Sequence, residues 1–218
     1  MRNRKAFLFD MDGTMVDNMQ YHLQAWQKIV AEAGSVMEGE EMFKELYGKN
    51  TEILTRILGT NKFTISEIKE MADRKDAYYR EIYGPHAVLI PGLREFLTEA
   101  KNQQISLAIA SATLNKNVQF VIDKLSLQTF FDVIISGSDV SISKPDPETF
   151  LKAAKGLGIL PSNCVVFEDV PKGIEAAMRA DMKAVVLLTS HKKQDFDGFS
   201  NVIKLITDYR SVNVTNFL

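Results

Sequence analysis

The sequence has little cysteine, little histidine and no long hydrophobic run, and each shortage excludes a class of structure. Cys164, the single cysteine among 218 residues, cannot form an internal disulfide, and its place in the apolar segment NCVVF predicts a buried structural thiol. His86 and His191 have no second histidine at ligand spacing, which disfavours a zinc site. No apolar segment reaches the roughly 18 residues that suggest a membrane span.

The sequence also lacks an excess of either charge. It has 26 lysines and arginines against 28 aspartates and glutamates, a formal net charge of −2. Nothing in this balance indicates nucleic acid or an anionic membrane as a partner. The basic start MRNRK precedes an apolar run only one strand long, which is not a signal peptide. Because 45% of the residues are hydrophobic and 25% are charged, we expect a soluble, cytoplasmic globular protein.

A long stretch of helical patterning interrupts the chain after its first strand. Tyr21, Ala25 and Ile29 recur at helical spacing, and no convincing strand follows until about residue 84. The patterning predicts further helices over 40–46, 52–58 and 66–82, the last with Ser66 as its N-cap. We therefore expect an inserted all-helical domain at residues 17–85, within a core made of residues 1–16 and 86–218.

The rest of the chain alternates between strands and helices. Strands are predicted over 6–9, 105–111, 132–136, 163–169, 184–188 and 202–206. Helices are predicted over 93–101, 118–125, 147–157 and 173–179. This alternation is typical of an α/β protein with a parallel sheet flanked by helices and right-handed crossovers.

The first strand ends in two carboxylates one residue apart, in the segment KAFLFDMDGTMVD. Asp10 and Asp12 share a parity, so they project to one side of an extended chain, and Gly13 allows a sharp departure from the sheet. Two such anions at a hydrophobic strand end require a cation or a shared proton. They suit a nucleophile and a general acid/base; the alternative is a pair of solvated loop acids.

Another apolar strand ends in Glu168 and Asp169. Carboxylate oxygens are ligands that Mg²⁺ prefers, and a substrate phosphate commonly completes its shell. Because adjacent strand residues point to opposite faces, we expect one of the two to touch the metal directly and the other to bond through water. Capping of the following helix is the alternative reading.

Polar residues at the other strand ends supply a phosphate site. Ser111 ends the strand ISLAIAS and is followed by Thr113 and Asn115. A hydroxyl and backbone N–H groups at such a strand-to-helix turn can bind phosphoryl oxygens, and the alternative role of these residues is helix capping. Lys144 precedes Pro145, where a fixed backbone can present its charge, although an isolated lysine is more often a surface residue. Since ligands bind outside the carboxyl ends of parallel strands, we expect Ser111 to share one crevice with Asp10 and Asp169. The assignment of Lys144 depends on the other three segments. Together they predict phosphoryl transfer through an aspartyl-phosphate, with Mg²⁺ and Lys144 countering charge and Ser111 orienting the phosphoryl group.

This ordered set resembles the haloacid dehalogenase superfamily. Its four motifs correspond to DMDGT at residues 10–14, Ser111, Lys144 before Pro145, and the pair Glu168 and Asp169. The resemblance covers essentially the whole chain and implies a Rossmann-like sheet, Asp10 as nucleophile and Asp12 as acid/base. It implies a Mg²⁺ site drawn from Asp10, Asp12, Glu168 and Asp169. The helical insertion corresponds to a cap that closes over the substrate and excludes water.

Within the superfamily, the chain is most similar to the branch of β-phosphoglucomutases and small sugar-phosphate phosphatases. That similarity implies substrate contacts from His22 and from Lys75 in RKDAYY, and phosphate contacts from Thr113 and Asn115 in SATLN. Trp26 lies four residues from His22 on the same helix face, and we expect it to be packed.

One segment, LYGKNTEIL, departs from the mutase pattern. Tyr47 and Thr51 stand where a mutase is expected to carry a lysine and an arginine for the second phosphate of its intermediate, and Lys49 is displaced. We therefore expect a Mg²⁺-dependent phosphatase acting on a small phosphorylated metabolite such as a sugar phosphate, with a phosphomutase as the alternative.

Two other readings are disfavoured. A catalytically silent binding module would lack an acid, a hydroxyl or a lysine of the set, and none is missing. Dehalogenation uses no metal and does not need the second acid, whereas Asp12 and the pair Glu168 and Asp169 are present in this sequence. The sequence does not indicate an oligomeric state.

Overall fold

The computed structural model describes residues 4–37 and 39–217 of the chain. Its strands are β1 (Ala6–Phe9), β2 (Ser106–Ala110), β3 (Val133–Ile135), β4 (Cys164–Glu168), β5 (Lys183–Leu187) and β6 (Val202–Ile206). Its α-helices are α1 (Met19–Glu32), α2 (Gly39–Glu45), α3 (Asn50–Leu58), α4 (Ile65–Tyr83), α5 (Leu93–Asn102), α6 (Asn115–Lys124), α7 (Glu148–Leu157) and α8 (Pro171–Arg179). Short 3₁₀ helices occupy Gly84–His86, Pro161–Asn163, Lys193–Phe196 and Val214–Phe217.

The six strands form one parallel sheet in the order β3-β2-β1-β4-β5-β6. This confirms the predicted α/β, Rossmann-like class. The strand order reverses between β1 and β4, and in open α/β sheets that point opens a crevice at the carboxyl ends of the strands. Phe9 is in register with Ile109 of β2 and Phe167 of β4. The residues that follow these three strands are therefore close together.

The inner strands are buried on both faces, as parallel strands covered by helices must be. On one face, Phe9 stacks on Phe167 with ring centroids 4.7 Å apart, and Phe96 of α5 packs against both rings. On the other face, Leu8 and Val166 belong to a cluster that includes apolar residues of α7 and α8. At about 25 cal/mol per Å² of buried apolar surface, this core supplies the main driving force for folding.

The contacts divide the chain into two compact units, Met1–Asp17 with Val88–Leu218, and Asn18–Ala87. The second unit contains helices α1 to α4 and has its own apolar core. Trp26, Ile29 and Leu54 are buried in that core. Trp26 is therefore packed, as its position on the α1 face predicts.

The start of α4 corrects the predicted N-cap. Thr64, not Ser66, caps the helix: its hydroxyl accepts a hydrogen bond from the Glu67 backbone N–H at 3.3 Å. The Glu67 carboxylate in turn accepts from the Thr64 backbone N–H at 2.8 Å. This reciprocal pair is a capping box, and the spacing T-x-x-E was its sequence signal.

The bounds of β1 and β6 are as predicted, and other element bounds differ from the prediction by at most three residues. The largest difference is at α6, which begins at Asn115 rather than at residue 118. Among the described residues, no helix is long and apolar enough to cross a membrane.

Candidate active site

Asp10 follows β1 at the reversal of strand order. Its backbone N–H donates to the Phe167 carbonyl at 3.0 Å, which continues the β1–β4 ladder up to the site. The chain then turns sharply, and the Gly13 N–H donates to the Val16 carbonyl at 2.8 Å. Gly13 has φ +77°, and a Cβ there would lie 2.1 Å from Oδ2 of Asp169. The turn thus requires glycine both for its left-handed backbone and for the space that Asp169 occupies.

Lys144 joins three strand ends through its ammonium group. Nζ donates to Oδ1 of Asp10 at 2.5 Å, to Oε1 of Glu168 at 2.8 Å and to the Ala110 carbonyl at 3.1 Å. The residue is 7% exposed. Burial by itself lowers the pKa of Lys144, but the charges of Asp10 and Glu168 outweigh it and raise the pKa above its ordinary 10.5. Lys144 is therefore a buried, permanently charged cation beside Asp10.

Glu168 links Lys144 to the backbone at the start of α8. Its predicted role as a metal ligand, direct or through water, stays a prediction. Its Oε2 accepts the backbone N–H groups of Asp169 and Val170 at 2.8 and 2.9 Å, and its Oε1 accepts from Lys144. A Cβ at Gly173, in the first turn of α8, would lie 1.8 Å from Oε1. Both carboxylate oxygens are thus engaged by protein donors, and the carboxylate is enclosed by the helix backbone.

Asp169 is held by a hydroxyl on each carboxylate oxygen. The Thr14 hydroxyl donates to Oδ1 at 3.1 Å, and the Ser190 hydroxyl donates to Oδ2. Ser190 and its neighbour Thr189, which donates to the Gly13 carbonyl at 2.5 Å, were absent from the sequence prediction. The available signal was their position: they follow the carboxyl end of β5, as Ser111 follows that of β2.

The site carries more negative than positive charge. Burial, followed by repulsion from Glu168 and Asp12 and opposed by Lys144, raises the pKa of Asp10 to about 7. Burial and the charges of Glu168 and Asp10 likewise raise the pKa of Asp169 well above 3.8. Two buried oxygen-donor side chains that resist ionisation fit a hard divalent cation such as Mg²⁺, whose charge would favour their ionised forms.

The predicted set of four metal-binding carboxylates does not form one cluster. Across residues 4–37 and 39–217, no group of three or more His, Cys, Asp or Glu side chains is placed to hold a metal ion together. Glu168 accepts from Lys144 and from backbone N–H groups, and Asp12 accepts from Thr113. The residues that fit a magnesium ion are Asp10 and Asp169. An ion held by so few protein carboxylates takes its other ligands from water, backbone carbonyls and substrate phosphate.

The segment after β2 is held by hydrogen bonds that begin at Ser111. Ser111 is 1% exposed, and its hydroxyl accepts the Thr113 backbone N–H at 3.1 Å. The Thr113 hydroxyl donates to Oδ2 of Asp12. A hydroxyl has one proton to donate, so in this arrangement the Thr113 hydroxyl positions Asp12, and its predicted phosphate contact stays a prediction. Asn115 is exposed at the start of α6, where its backbone N–H donates to the Ser138 hydroxyl at 3.3 Å.

The family model described as haloacid dehalogenase-like hydrolase matches residues 7–187 of the chain. The chain belongs to this family. The matched range includes Asp10, Ser111, Lys144 and Asp169, and the protein is accordingly an enzyme of the hydrolase type. The predicted membership of the superfamily is thereby confirmed.

Relatives of this family member include both phosphatases and mutases. The chain is 32% identical to β-phosphoglucomutase of Bacillus subtilis over 83% of its own length and 82% of the relative's. It is 30% identical to the phosphorylated carbohydrates phosphatase of Thermotoga maritima over 83% of both chains. It is 26% identical to the chloroplastic 5-amino-6-(5-phospho-D-ribitylamino)uracil phosphatase of Arabidopsis thaliana over 95% of its own length, but it spans only 56% of that relative.

A solved structure agrees with this placement within the family. β-Phosphoglucomutase from Clostridium difficile superposes with a TM-score of 0.86 at 28% identity and covers 97% of this chain and 94% of the other. The predicted similarity to the branch of β-phosphoglucomutases and sugar-phosphate phosphatases is confirmed.

Within the helical unit of this family member, His22 and Lys75 form one buried cluster. The His22 ring stacks on Tyr79 with centroids 3.8 Å apart, and Lys75 lies 4.8 Å from the centre of the Trp26 ring. Lys75 Nζ lies 2.8 Å from Nδ1 of His22 and 3.1 Å from the Asp76 carboxylate. Because an ammonium group only donates, Nδ1 is the acceptor, and the ring proton of a neutral His22 is on Nε2.

The segment that departs from the mutase pattern is held by Arg56 of α3. The guanidinium lies 3.8 Å from the centre of the Tyr47 ring, and it donates to the Glu45 carboxylate and the Tyr47 carbonyl at 2.7 Å each. The Lys49 backbone N–H donates to Glu52 at 2.8 Å. The guanidinium of Arg56 thus binds neighbouring acceptors within the unit.

Proposed function

We propose that this hydrolase is a Mg²⁺-dependent phosphatase that releases phosphate from a small phosphorylated metabolite, in particular a sugar phosphate, through an aspartyl-phosphate on Asp10. The observation that carries the proposal is the ion pair of Lys144 with Asp10 at 2.5 Å, beside the buried carboxylate of Asp169. In the proposal the Asp10 carboxylate is the nucleophile, and the fixed cation of Lys144 and a second acidic group, Asp169, lie beside it. An attacking anion and a phosphoryl group both need that compensation of charge.

In the proposed first step, a carboxylate oxygen of Asp10 attacks phosphorus. An O–P bond to Asp10 forms, and the bond from phosphorus to the substrate oxygen breaks. Asp12 gives its proton to the leaving oxygen. In the second step, Asp12 takes a proton from water, the water oxygen bonds to phosphorus, and the bond to Asp10 breaks. The Thr113 hydroxyl orients Asp12 for both transfers.

The other residues of the site compensate charge and hold the phosphoryl group. Lys144 is fixed by Glu168 and neutralises a phosphoryl oxygen, and Ser111 with the backbone around it orients the group. Asp10 and Asp169 would hold Mg²⁺, which neutralises charge on the phosphoryl oxygens when bound. Glu168 contributes through Lys144 and the backbone of Asp169, and not as a direct metal ligand.

The substrate class rests on the relatives and on the helical unit. Two of the relatives are named for phosphatase activity, one on phosphorylated carbohydrates and one on a phosphoribityl compound. The substrate contacts expected of His22, Lys75 and Asn115 stay predictions.

A phosphomutase is the second candidate, and the similarity to β-phosphoglucomutases favours it. A mutase must retain a doubly phosphorylated intermediate while that intermediate changes its orientation in the site. Holding it requires cations for the second phosphate. Tyr47 and Thr51 supply none, and Arg56 is bound to Glu45. We therefore rank hydrolysis above the mutase reaction.

The test is phosphate release from a panel of sugar phosphates, with Mg²⁺ and with EDTA, beside a coupled assay for conversion of β-glucose 1-phosphate to glucose 6-phosphate. We expect Mg²⁺-dependent release from at least one substrate, abolished in Asp10→Asn with the fold retained. Interconversion without net phosphate release would establish the mutase instead. No turnover in either assay, with Asp10→Asn indistinguishable from the parent, would contradict both.

A further inference from the structure

The side-chain hydroxyls of two adjacent residues after β5 donate hydrogen bonds to the segments that follow β1 and β4. Thr189 Oγ1 donates to the Gly13 carbonyl at 2.5 Å, although β5 is separated from β1 by β4 in the sheet. Ser190 Oγ donates to Oδ2 of Asp169 and lies 3.2 Å from the Asp169 carbonyl. We call this pair the Thr189–Ser190 clamp.

The clamp is not part of a local helix cap. The 3₁₀ helix that follows, Lys193–Phe196, is capped by Asp195, whose carboxylate accepts the Lys192 backbone N–H at 2.9 Å. The clamp hydroxyls instead reach residues 176 and 21 positions earlier in the chain. Contacts over such separations form only in the folded protein, at the carboxyl end of the sheet.

The carboxylate of Asp169 has a particular need for such donors. It is 1% exposed and lies in the field of Glu168 and Asp10, so water and free rotation cannot relieve its charge. Thr14 donates to one oxygen and Ser190 to the other, which defines the rotation of the carboxylate about its terminal bond. Hydrogen bonds to an ionised carboxylate are stronger than those between neutral groups, and each oxygen retains a lone pair for a metal ion.

We propose that the Thr189–Ser190 clamp is a positioning element for the cation site: Ser190 sets the orientation of Asp169, and Thr189 holds the Gly13 turn against it. The proposal rests on the proposed Mg²⁺-dependent function and adds residues outside its four sequence motifs. Both residues act through other groups of the site, Ser190 through Asp169 and Thr189 through the Gly13 turn. Partners that orient a metal-binding side chain commonly change metal affinity by about 10- to 100-fold when they are removed.

The test is the binding of Mg²⁺ alone, without substrate, to the purified full chain. Calorimetric titrations compare the parent with Ser190→Ala and Thr189→Val, with Ser190→Thr as the conservative variant that keeps the hydroxyl. Thr98→Ala is the matched control, because the Thr98 hydroxyl is exposed and donates only to a carbonyl of its own helix. The Mg²⁺-induced rise in melting temperature is recorded for every variant.

We expect Ser190→Ala to weaken Mg²⁺ binding by about 10-fold or more and to shrink the Mg²⁺-induced rise in melting temperature. Ser190→Thr should recover most of the affinity, and Thr98→Ala should match the parent. In the phosphatase assay, the Mg²⁺ concentration for half-maximal activity should rise more than kcat at saturating Mg²⁺ falls. A purely structural role would lower the melting temperature without raising the Mg²⁺ concentration for half-maximal activity more than it lowers kcat.

If both Ser190→Ala and Thr189→Val bind Mg²⁺ with the affinity of the parent, the clamp proposal is wrong and the proposed function is unaffected. If Ser190→Ala fails to fold, Thr189→Val alone decides, since it removes a hydroxyl and keeps the side-chain shape. If the parent itself neither binds Mg²⁺ nor releases phosphate, the proposed function fails, and the clamp proposal fails with it.

Discussion

At the scale of single residues, the site depends on an uneven balance of charge. The ammonium of Lys144 contacts two buried acids of the site, Asp10 and Glu168. Glu168 has a second function, because it also binds two backbone N–H groups at the start of α8. This carboxylate therefore connects the cation beside the nucleophile to the fold itself.

Removal of Glu168 should destabilise the protein strongly. Glu168→Ala leaves the Lys144 ammonium with one acidic partner fewer and two buried N–H groups without acceptors, at a cost of about 3 kcal/mol in unfolding free energy. Phosphate release should fall as well, since Lys144 loses the group that fixes it. Chemical denaturation and the phosphate assay measure the two effects.

A carboxylate in α8 provides the control for that experiment. Glu175 pairs with Arg179 on the helix surface, and surface pairs contribute at most about 1 kcal/mol. Glu175→Ala should therefore change stability little and leave activity as it is. Equal losses of unfolding free energy and of phosphate release in the Glu168 and Glu175 variants would show that the buried contacts of Glu168 contribute no more than a surface ion pair.

At the scale of secondary-structure elements, helix α8 carries a glycine that helix propensity alone does not favour. Alanine is better than glycine in a helix interior by about 1 kcal/mol. At position 173, however, the added Cβ would lie 1.8 Å from the Glu168 carboxylate. The close approach of this backbone to Glu168, and not the helix itself, accounts for the glycine.

Gly173→Ala should therefore destabilise the protein and reduce phosphate release, because it displaces Glu168 from Lys144. Gly156 in α7 is the comparison: an added Cβ there meets Val133 side-chain methyl groups at 3.0 and 3.1 Å, and that side chain can shift. Gly156→Ala should cost much less stability and spare the activity. The prediction fails if thermal melting and kinetics show the same change in both variants.

The cap of α4 gives a second prediction at this scale. Thr64→Ala removes the hydroxyl that accepts the Glu67 backbone N–H, and the loss of such a cap costs about 1 kcal/mol. Ser66→Ala should cost less than about 0.5 kcal/mol, because Ser66 is an exposed residue inside the helix. Urea unfolding of the two variants separates the observed cap from the one that the sequence suggested; a larger effect at Ser66 would reverse the assignment.

At the scale of the whole molecule, the buried acids make stability depend on pH. Burial raises the pKa of Asp10 from 3.8 to about 7 in the folded chain without metal. Between those values the folded chain binds more protons than the unfolded chain, so the unfolding free energy falls as the pH rises through this interval. A bound cation favours the ionised carboxylates and should offset this loss.

The expected result is a metal-free melting temperature that falls from about pH 5.5 to about pH 7.5 more in the parent than in Asp10→Asn, with the parent's loss recovered by Mg²⁺. The variant removes the titration of Asp10 and with it the charge that helps to raise the pKa of Asp169. Melting curves recorded with EDTA and with Mg²⁺ at both pH values measure the effect. A parent that gains stability relative to the variant over this interval would contradict the charge balance described for the site.

The sequence by itself determined the fold class, because continuous apolar strands alternating with helices have few arrangements other than a parallel sheet covered on both faces. It also indicated Asp10, Ser111 and Asp169, since polar residues at the carboxyl ends of such strands converge on one crevice. Lys144 was indicated by the ordered set of motifs. Their roles in catalysis remain predictions that the experiments above test.

Only the tertiary structure decided how those residues are held. Glu168 binds Lys144 and the backbone, Thr113 donates to Asp12, and Thr189 and Ser190 reach across to Gly13 and Asp169. None of these pairings follows from periodicity or motif spacing, because each depends on the register of neighbouring strands and on the direction of single side chains. The sequence thus specifies which groups arrive at the end of the sheet, and the packing of the folded chain specifies which of them bind one another.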